Sequence, residues 1–194
     1  MKMLFRILVV GSIGIHSELG SSQSSFYFDN RASGLDAPVF DGSGNRLFGA
    51  NFLAMLYGGA SPEAVSQAVG QLNSSLAPAP FTYIVNGQGG YFAGQVAVIP
   101  SVPCAGFAWL QVRAWDARLG ASYEDVVRLG LGGYGESNLF QAQGGNACPI
   151  LPDVPRVLIG LQSFSLLAEV PEPNSLVLLL LGLPLLLLRR RGRE

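Results

Sequence analysis

The sequence predicts a mostly β protein: a jelly-roll-like β-sandwich with one or two short helices, followed by a hydrophobic C-terminal helix. Short apolar segments recur through the middle of the chain, and turns rich in Gly, Asn and Asp separate them. Residues 105–115 form the clearest of these segments, because their side chains alternate with a period of two. Few segments carry helix signals, and this combination is typical of a sandwich.

Three regions are predicted: a signal peptide at 1–22, a β-sandwich body at 23–169 and a sorting signal at 170–194. Lys2 and Arg6 provide a basic start, residues 7–15 are mostly apolar, and polar residues begin at His16. This order is the layout of a secretory signal peptide, which is removed from the mature protein. An ordinary first β-strand is the alternative interpretation.

Strands in the body are predicted from apolar runs and from the turns between them. They cover residues 25–29, 38–40, 46–48, 51–57, 81–85, 91–99, 105–115 and 158–169. Two pairs of strands flank glycine-rich turns at 41–45 and 86–90, so each pair is expected to form a hairpin. Residues 51–57 are also compatible with a helix, but their short length favours a buried strand.

The strand at 105–115 has two faces of different composition. One face carries Phe107, Trp109, Gln111, Arg113 and Trp115. We expect this face to lie between two sheets, with Trp109 in the core. Arg113 must then lie near the sheet edge or pair with an acid such as Asp116 or Glu124, because an unpaired buried charge is costly. If the face is instead exposed, Trp109 and Trp115 are weak candidates for stacking on a glycan.

Two short helices are predicted within the body. Ser61 is a suitable N-cap, and Pro62 and Glu63 suit the first turn of a helix. A second helix is expected to start near Ser122 and to stop at Gly130, a residue type that commonly terminates helices.

The charge of the body argues against nucleic-acid binding. Residues 22–169 contain six arginines, no lysine and ten acidic residues, which gives a net charge of −4. A nucleic-acid interface needs a basic patch, and the sequence has none in this region.

Cys104 and Cys148 are the only cysteines. In an exported chain, two cysteines most simply form one disulfide. Two separate buried thiols are the alternative. A metal site is not expected, because neither cysteine has a Cys or His neighbour at ligand spacing.

The body lacks a convincing catalytic constellation, so we expect neither enzymatic activity nor a cofactor. The only histidine is His16, in the predicted signal peptide, which excludes a Ser-His-Asp unit from the mature body. Asp116, Glu124 and Asp125 are the only clustered carboxylates, and the last two are expected to favour a helix N-terminus. A glycosidase pair among them is the alternative.

Two further motifs are expected to be turns. Residues 130–135 match the string G-x-G-x-x-G, but a dinucleotide site needs a strand before the string and a helix after it. Asp36, Asp41 and Asn45 could ligate calcium, yet their spacing is not that of an EF-hand loop.

The C-terminus combines a short motif, an apolar segment and a basic tail. Val170, Pro171, Glu172 and Pro173 precede a segment from Leu176 through Leu181 to Leu188 that is apolar apart from Gly182 and Pro184. Arg189, Arg190 and Arg191 follow and favour a cytoplasmic C-terminus. The segment is short for a bilayer span of roughly 17–25 residues, and a buried core helix is the alternative.

This arrangement of motif, apolar segment and basic tail resembles the PEP-CTERM sorting signal of Gram-negative, exopolysaccharide-producing bacteria. The resemblance implies an exosortase-type membrane transpeptidase as a partner and Pro171, Glu172 and Pro173 as its recognition element. It also implies export, transient anchoring in the inner membrane and then release or attachment outside the cell. Residues 110–116, 120–124 and 160–164 resemble a group of PEP-CTERM proteins with no assigned activity, which supports the fold more than a function.

We therefore expect a non-catalytic surface or extracellular-matrix protein that is exported and processed by an exosortase. The alternative is a carbohydrate-binding module or a glycan-active enzyme of the same matrix. Exopolysaccharide is the further partner that either expectation suggests, and a metal ion is part of neither.

Overall fold

A computed structural model describes residues 23–66, 76–92, 95–146 and 154–169. The strands are β1 (Gln23–Phe28), β2 (Arg31–Ala32), β3 (Leu35–Asp36), β4 (Val39–Phe40), β5 (Gly49–Gly59), β6 (Ala79–Phe81), β7 (Tyr83–Val85), β8 (Gln88–Tyr91), β9 (Gln95–Pro103), β10 (Phe107–Asp116), β11 (Tyr134–Glu136), β12 (Phe140–Gln143), β13 (Gly145–Asn146) and β14 (Phe164–Ser165). The helices are α1 (Pro62–Ser66) and α2 (Tyr123–Leu129). The predicted mostly β fold is confirmed.

Two antiparallel sheets form the sandwich. The larger sheet has the order β11-β10-β5-β6, with β12 also paired to β10, and the smaller has the order β13-β1-β9. Gly58 on β5 shows how closely the sheets approach, since a methyl group there would lie 2.5 Å from the side chain of Ile99 on β9. The core therefore lies between β5 and β10 on one side and β1 and β9 on the other.

The inner face of β10 is the one made of small and aliphatic residues. Ala108, Leu110, Val112 and Ala114 are all fully buried. The expectation that Trp109 lies in the core between the sheets is wrong, because Trp109 is on the opposite face and only partly buried. The period of two separated the two faces correctly, but it could not say which one meets the second sheet.

Helices cover part of the outer face of the larger sheet. A methyl group on Gly59 would lie 2.7 Å from Cβ of Ala64, so α1 packs directly against β5. Helix α2 contacts β10 and β11. Trp115 is buried on this outer face, with only 2% of its surface exposed. Buried side chains therefore lie on both faces of the larger sheet, and this is why the sequence pattern did not identify the face that meets the second sheet.

Both predicted hairpin turns are present, but the second is tighter than expected, and its return strand is β8, whereas residues 95–99 of the predicted strand at 91–99 belong to β9 in the smaller sheet. At 41–45, Leu47 donates to the carbonyl of Val39, which closes the predicted turn. The second turn is only Asn86-Gly87, with φ of 51° and 77°, and it joins β7 to β8. Positive φ at both positions is the geometry of a type I′ hairpin.

The predicted last strand is wrong in extent. Only Phe164–Ser165 of residues 158–169 forms a strand, which pairs in parallel with β4. Gly160 has a φ of 107°, and Leu161 donates to the carbonyl of Leu158, so a turn occupies the start of this stretch.

Both helix predictions hold in the described residues: Ser122 is the N-cap of α2 and Gly130 is its left-handed C-cap.

Candidate functional sites

The first candidate site is a cluster of tyrosines and charges on the helix-covered face of the larger sheet, called here the tyrosine–arginine cluster. Its members are Arg113 on β10, Tyr57 on β5, Tyr123 and Glu124 on α2, and Glu136 on β11. The register places Arg113 directly opposite Glu136, so these two side chains share a face.

Arg113 contacts every other member of this cluster. Its Nη1 lies 3.6 Å from Glu124 and its Nε lies 3.8 Å from Glu136. The guanidinium stacks over the ring of Tyr57 at 4.1 Å and is 5.3 Å from that of Tyr123. Arg113 is 8% exposed, so the expected pairing of a buried arginine with Glu124 is confirmed. Arg113 is thus engaged on all sides by groups of the protein itself.

The two tyrosines in the cluster are held protonated. Tyr57 donates a hydrogen bond of 2.8 Å to Glu124. Burial, and then this hydrogen bond to a carboxylate, raise the pKa of Tyr57 above its usual range. Burial and the nearby charge of Glu136 raise the pKa of Tyr123 in the same direction.

Alkaline pH is therefore expected to unfold the protein through these phenols. Because their pKa values are higher in the folded state, the stability they contribute is complete below the unfolded pKa of about 10. It is lost as the pH rises through the folded-state values. In a titration followed by phenolate absorbance, two of the six tyrosines should ionise last, together with unfolding. Tyr57→Phe should remove one late-titrating group, whereas Tyr83→Phe, at an exposed position outside the cluster, should leave both late-titrating groups in place. Six tyrosines that titrate as one group in the folded protein would contradict this.

The carboxylates considered for catalysis do not form a shared site. Asp116 is fully buried and accepts hydrogen bonds from the backbone and guanidinium of Arg118. Burial is the largest influence on its pKa and raises it, but the bonds from Arg118 outweigh burial and lower the pKa. Asp125 binds the N-cap residue Ser122 at 2.7 Å. Glu124 belongs to the tyrosine–arginine cluster, so each of the three has a separate structural partner.

The second candidate site is a groove that holds the segment before the predicted sorting motif. This segment, residues 164–169, is called here the C-terminal strap. Leu166 donates to the carbonyl of Phe40, and Leu167 exchanges hydrogen bonds with Tyr134 and Gly133 at 2.8 and 2.9 Å. Glu169 lies 3.7 Å from the guanidinium of Arg118. The strap is therefore fixed on both sides up to its last residue.

Three glycines make room for the strap, and together they are called the glycine groove. A methyl group on Gly42 or Gly132 would overlap the backbone of Ala168, and one on Gly135 would overlap that of Ser165. Gly132 and Gly135 belong to the string at 130–135, which passes from the end of α2 into β11. The string therefore forms a turn and a groove, and it has neither the preceding strand nor the following helix of a dinucleotide site.

A cleft of about 320 Å³ lies beside the strap. Asp41, Phe52, Arg118 and Glu169 are among its lining residues. Asp41 accepts hydrogen bonds from the backbone of Ser43 and Asn45, so it closes its own turn. Asp36 pairs with Arg31 instead, and the calcium-ligand set considered from the sequence does not assemble.

The third candidate site is an open patch on the outer face of the larger sheet, called here the aromatic platform. It consists of Phe107, Trp109, Gln141 and Gln143. Phe107 is 59% exposed, both glutamines are exposed, and Trp109 is partly buried. The sequence had suggested Trp109 and Trp115, but Trp115 is fully covered and cannot contact a ligand. In the sequence, Phe140 and Ala142 alternate with Gln141 and Gln143. This period of two is the signal that could have placed the two glutamines on an exposed face.

Cys104 is disulfide-bonded. Its predicted partner, Cys148, lies outside the described residues, so the pairing stays a prediction. No group of three or more Cys, Asp or Glu side chains within the described ranges could hold a metal ion.

The features predicted from the sequence at both ends of the chain also lie outside the described residues. These are the signal peptide, the motif from Val170 to Pro173, the apolar segment from Leu176 to Leu188 and the arginines at 189–191. In the part of the chain that the structure does describe, neither helix has the length and apolarity to span a membrane.

No protein-family model, curated protein or solved structure matches this chain. The features that bear on its function are therefore those of its own residues: the tyrosine–arginine cluster, the C-terminal strap in its glycine groove, and the aromatic platform.

Proposed function

We propose that this chain is an exported, non-catalytic surface or extracellular-matrix protein whose C-terminus is processed by an exosortase-type transpeptidase. The observation that carries the proposal is the order of elements at the C-terminus. The motif Val170-Pro171-Glu172-Pro173 is separated only by Asn174 and Ser175 from the apolar segment 176–188, and the arginines 189–191 follow that segment directly. The apolar segment anchors the chain transiently in the inner membrane, with the arginines in the cytoplasm.

The position of the C-terminal strap supports this proposal. Hydrogen bonds and an ion pair fix the strap up to Glu169, and the motif begins at the next residue. A cut at or after the motif would therefore leave every hydrogen bond of the strap intact. The body would leave the membrane as a complete folded unit.

The partners of the carboxylates support the absence of catalysis. A general acid or base needs a carboxyl group that is free to exchange a proton with a substrate. Asp116, Glu124 and Asp125 are each engaged by a different basic, phenolic or hydroxyl group of the protein. Their arrangement stabilises α2 and the loop after β10.

Changing Pro171, Glu172 and Pro173 to alanine is expected to block processing, because the recognition element is lost. In a host that contains the transpeptidase, the variant should stay in the membrane fraction with its arginine tail attached. Intact-mass spectrometry of the membrane and medium fractions shows in which fraction the variant lies and whether its arginine tail is still attached.

A matched pair of single substitutions provides the control. Glu172→Gln changes the motif, whereas Glu169→Gln changes an exposed glutamate only three residues away. The first should slow processing and the second should leave it unchanged. Normal release of the triple-alanine variant, cut at the same position as the native protein, would overturn the proposed sorting.

A second function, carbohydrate binding, is favoured by the exposed aromatic platform.

A further inference from the structure

The aromatic platform has the side chains that recognise sugars. In the register of β10 and β12, Phe107 lies opposite Gln143 and Trp109 lies opposite Gln141. Opposite residues of an antiparallel pair project from the same face, so two aromatic rings lie beside two amides. Phe107 and Trp109 are two residues apart on one strand, so their Cα atoms are separated by about 6.8 Å, a spacing on the scale of successive hexose units.

One of these groups, Gln143, is held in place before any ligand arrives. The amide of Gln143 donates a 3.0 Å hydrogen bond to the carbonyl of Ala105, which fixes its position. Cys104, immediately before Ala105, is disulfide-bonded, so the segment that enters β10 is constrained. Preorganised side chains lose less conformational entropy on binding.

A cleft extends from the platform along the edge of β12. Its volume is about 390 Å³, and its lining includes Phe107, Gln141, Gln143, Val157 and Ile159. This size lies within the usual range for ligand sites, roughly 300–1,000 Å³. Among the described residues that line it, Arg156 is the only charged one. The combination of aromatic, aliphatic and amide groups with one charge suits an uncharged polar ligand.

We propose that the aromatic platform and its cleft bind an uncharged polysaccharide chain. The apolar C–H faces of successive hexose rings stack on Phe107 and Trp109. The amide of Gln141, which carries both donors and an acceptor, bonds to ring hydroxyls. A flat, half-polar surface of this kind matches a sugar, which has one apolar face and a polar rim. The proposal rests on the second proposed function, carbohydrate binding, and does not depend on how the C-terminus is processed.

The full chain, purified in a detergent without a sugar headgroup, is expected to bind hydroxyethylcellulose, the uncharged probe. Affinity electrophoresis should show retardation by this polymer and little by alginate, an anionic polysaccharide. Saturating cellohexaose should reduce acrylamide quenching of Trp109 fluorescence, while buried Trp115 contributes a constant background. Phe107→Ala should weaken binding about tenfold, the equivalent of about 1.4 kcal/mol.

Phe48→Ala is the matched control, because Phe48 is similarly exposed, at 55%, but lies outside the platform. It should leave binding unchanged. Gln141→Leu, which keeps the bulk of the side chain but removes the amide, should weaken binding without changing the unfolding midpoint. The proposal is overturned if the native chain binds neither polymer, if it prefers alginate, or if Phe107→Ala and Phe48→Ala bind equally well. It is also overturned if the platform is covered by a second copy, seen as dimers that Phe107→Ala dissociates.

Discussion

Trp115→Ala is expected to lower the free energy of unfolding by about 3–5 kcal/mol, as other truncations of buried aromatic residues do. Trp115 is 2% exposed, and its indole N–H has no hydrogen-bond partner among the described residues. The loss is therefore one of packing alone. Since the total free energy of unfolding of a domain is about 5–15 kcal/mol, the variant should unfold at a much lower urea concentration.

Trp109→Ala is the matched control for this prediction. Trp109 sits on the same strand and face but is only partly buried, so its truncation should cost clearly less. Trp115→Phe keeps most of the buried ring and removes an unpaired donor, so it should fold even if the alanine variant does not. Equal unfolding midpoints for Trp109→Ala and Trp115→Ala would contradict the assignment of Trp115 as the buried tryptophan.

Gly132→Ala is expected to destabilise the protein by about 2–5 kcal/mol, through backbone strain and steric overlap together. Gly132 has a φ of 84°, where a side chain is strained, and a methyl group there would overlap the backbone of Ala168. The C-terminal strap would have to leave the glycine groove. Urea unfolding and protease cleavage near the strap measure the two consequences separately.

Gly44→Ala measures the backbone strain alone, so the difference between it and Gly132→Ala gives the steric part of this effect. Gly44 has nearly the same φ, 85°, but a methyl group there would meet no atom of the described residues within 4 Å. It should therefore cost only the strain of the left-handed conformation, about 1–2 kcal/mol. If both variants lose the same stability, the strap does not depend on the glycine groove.

Local signals in the sequence identified most elements of the fold. Polar turn residues between apolar runs located both hairpins, and Ser122 and Gly130 marked the ends of α2. These features depend on the backbone preferences of a few neighbouring residues, so sequence patterns report them well. The last strand was overestimated because its apolar residues concealed the turn at Gly160.

The candidate sites were less accessible to sequence reasoning. The pairing of Arg113 with Glu124 could be anticipated from the cost of a buried charge, but its contacts with Tyr57 and Glu136 depend on strand register. Phe107 was assigned to the core although it is largely exposed. Gln141 and Gln143 lie more than thirty residues from Phe107 in the sequence, and only the pairing of β10 with β12 brings them together.

The sequence by itself determined the mostly β class, the turns, the helix caps and the division of β10 into two faces. Each depends on local conformational preference or on the two-residue period of a strand. Only the tertiary structure decided which face of β10 meets the second sheet, because helices also cover part of the other face. It likewise decided that Gly132 and Gly135 form a groove for the C-terminal strap. A glycine in the sequence indicates that another segment can approach the backbone closely. Which segment does so depends on packing between distant parts of the chain.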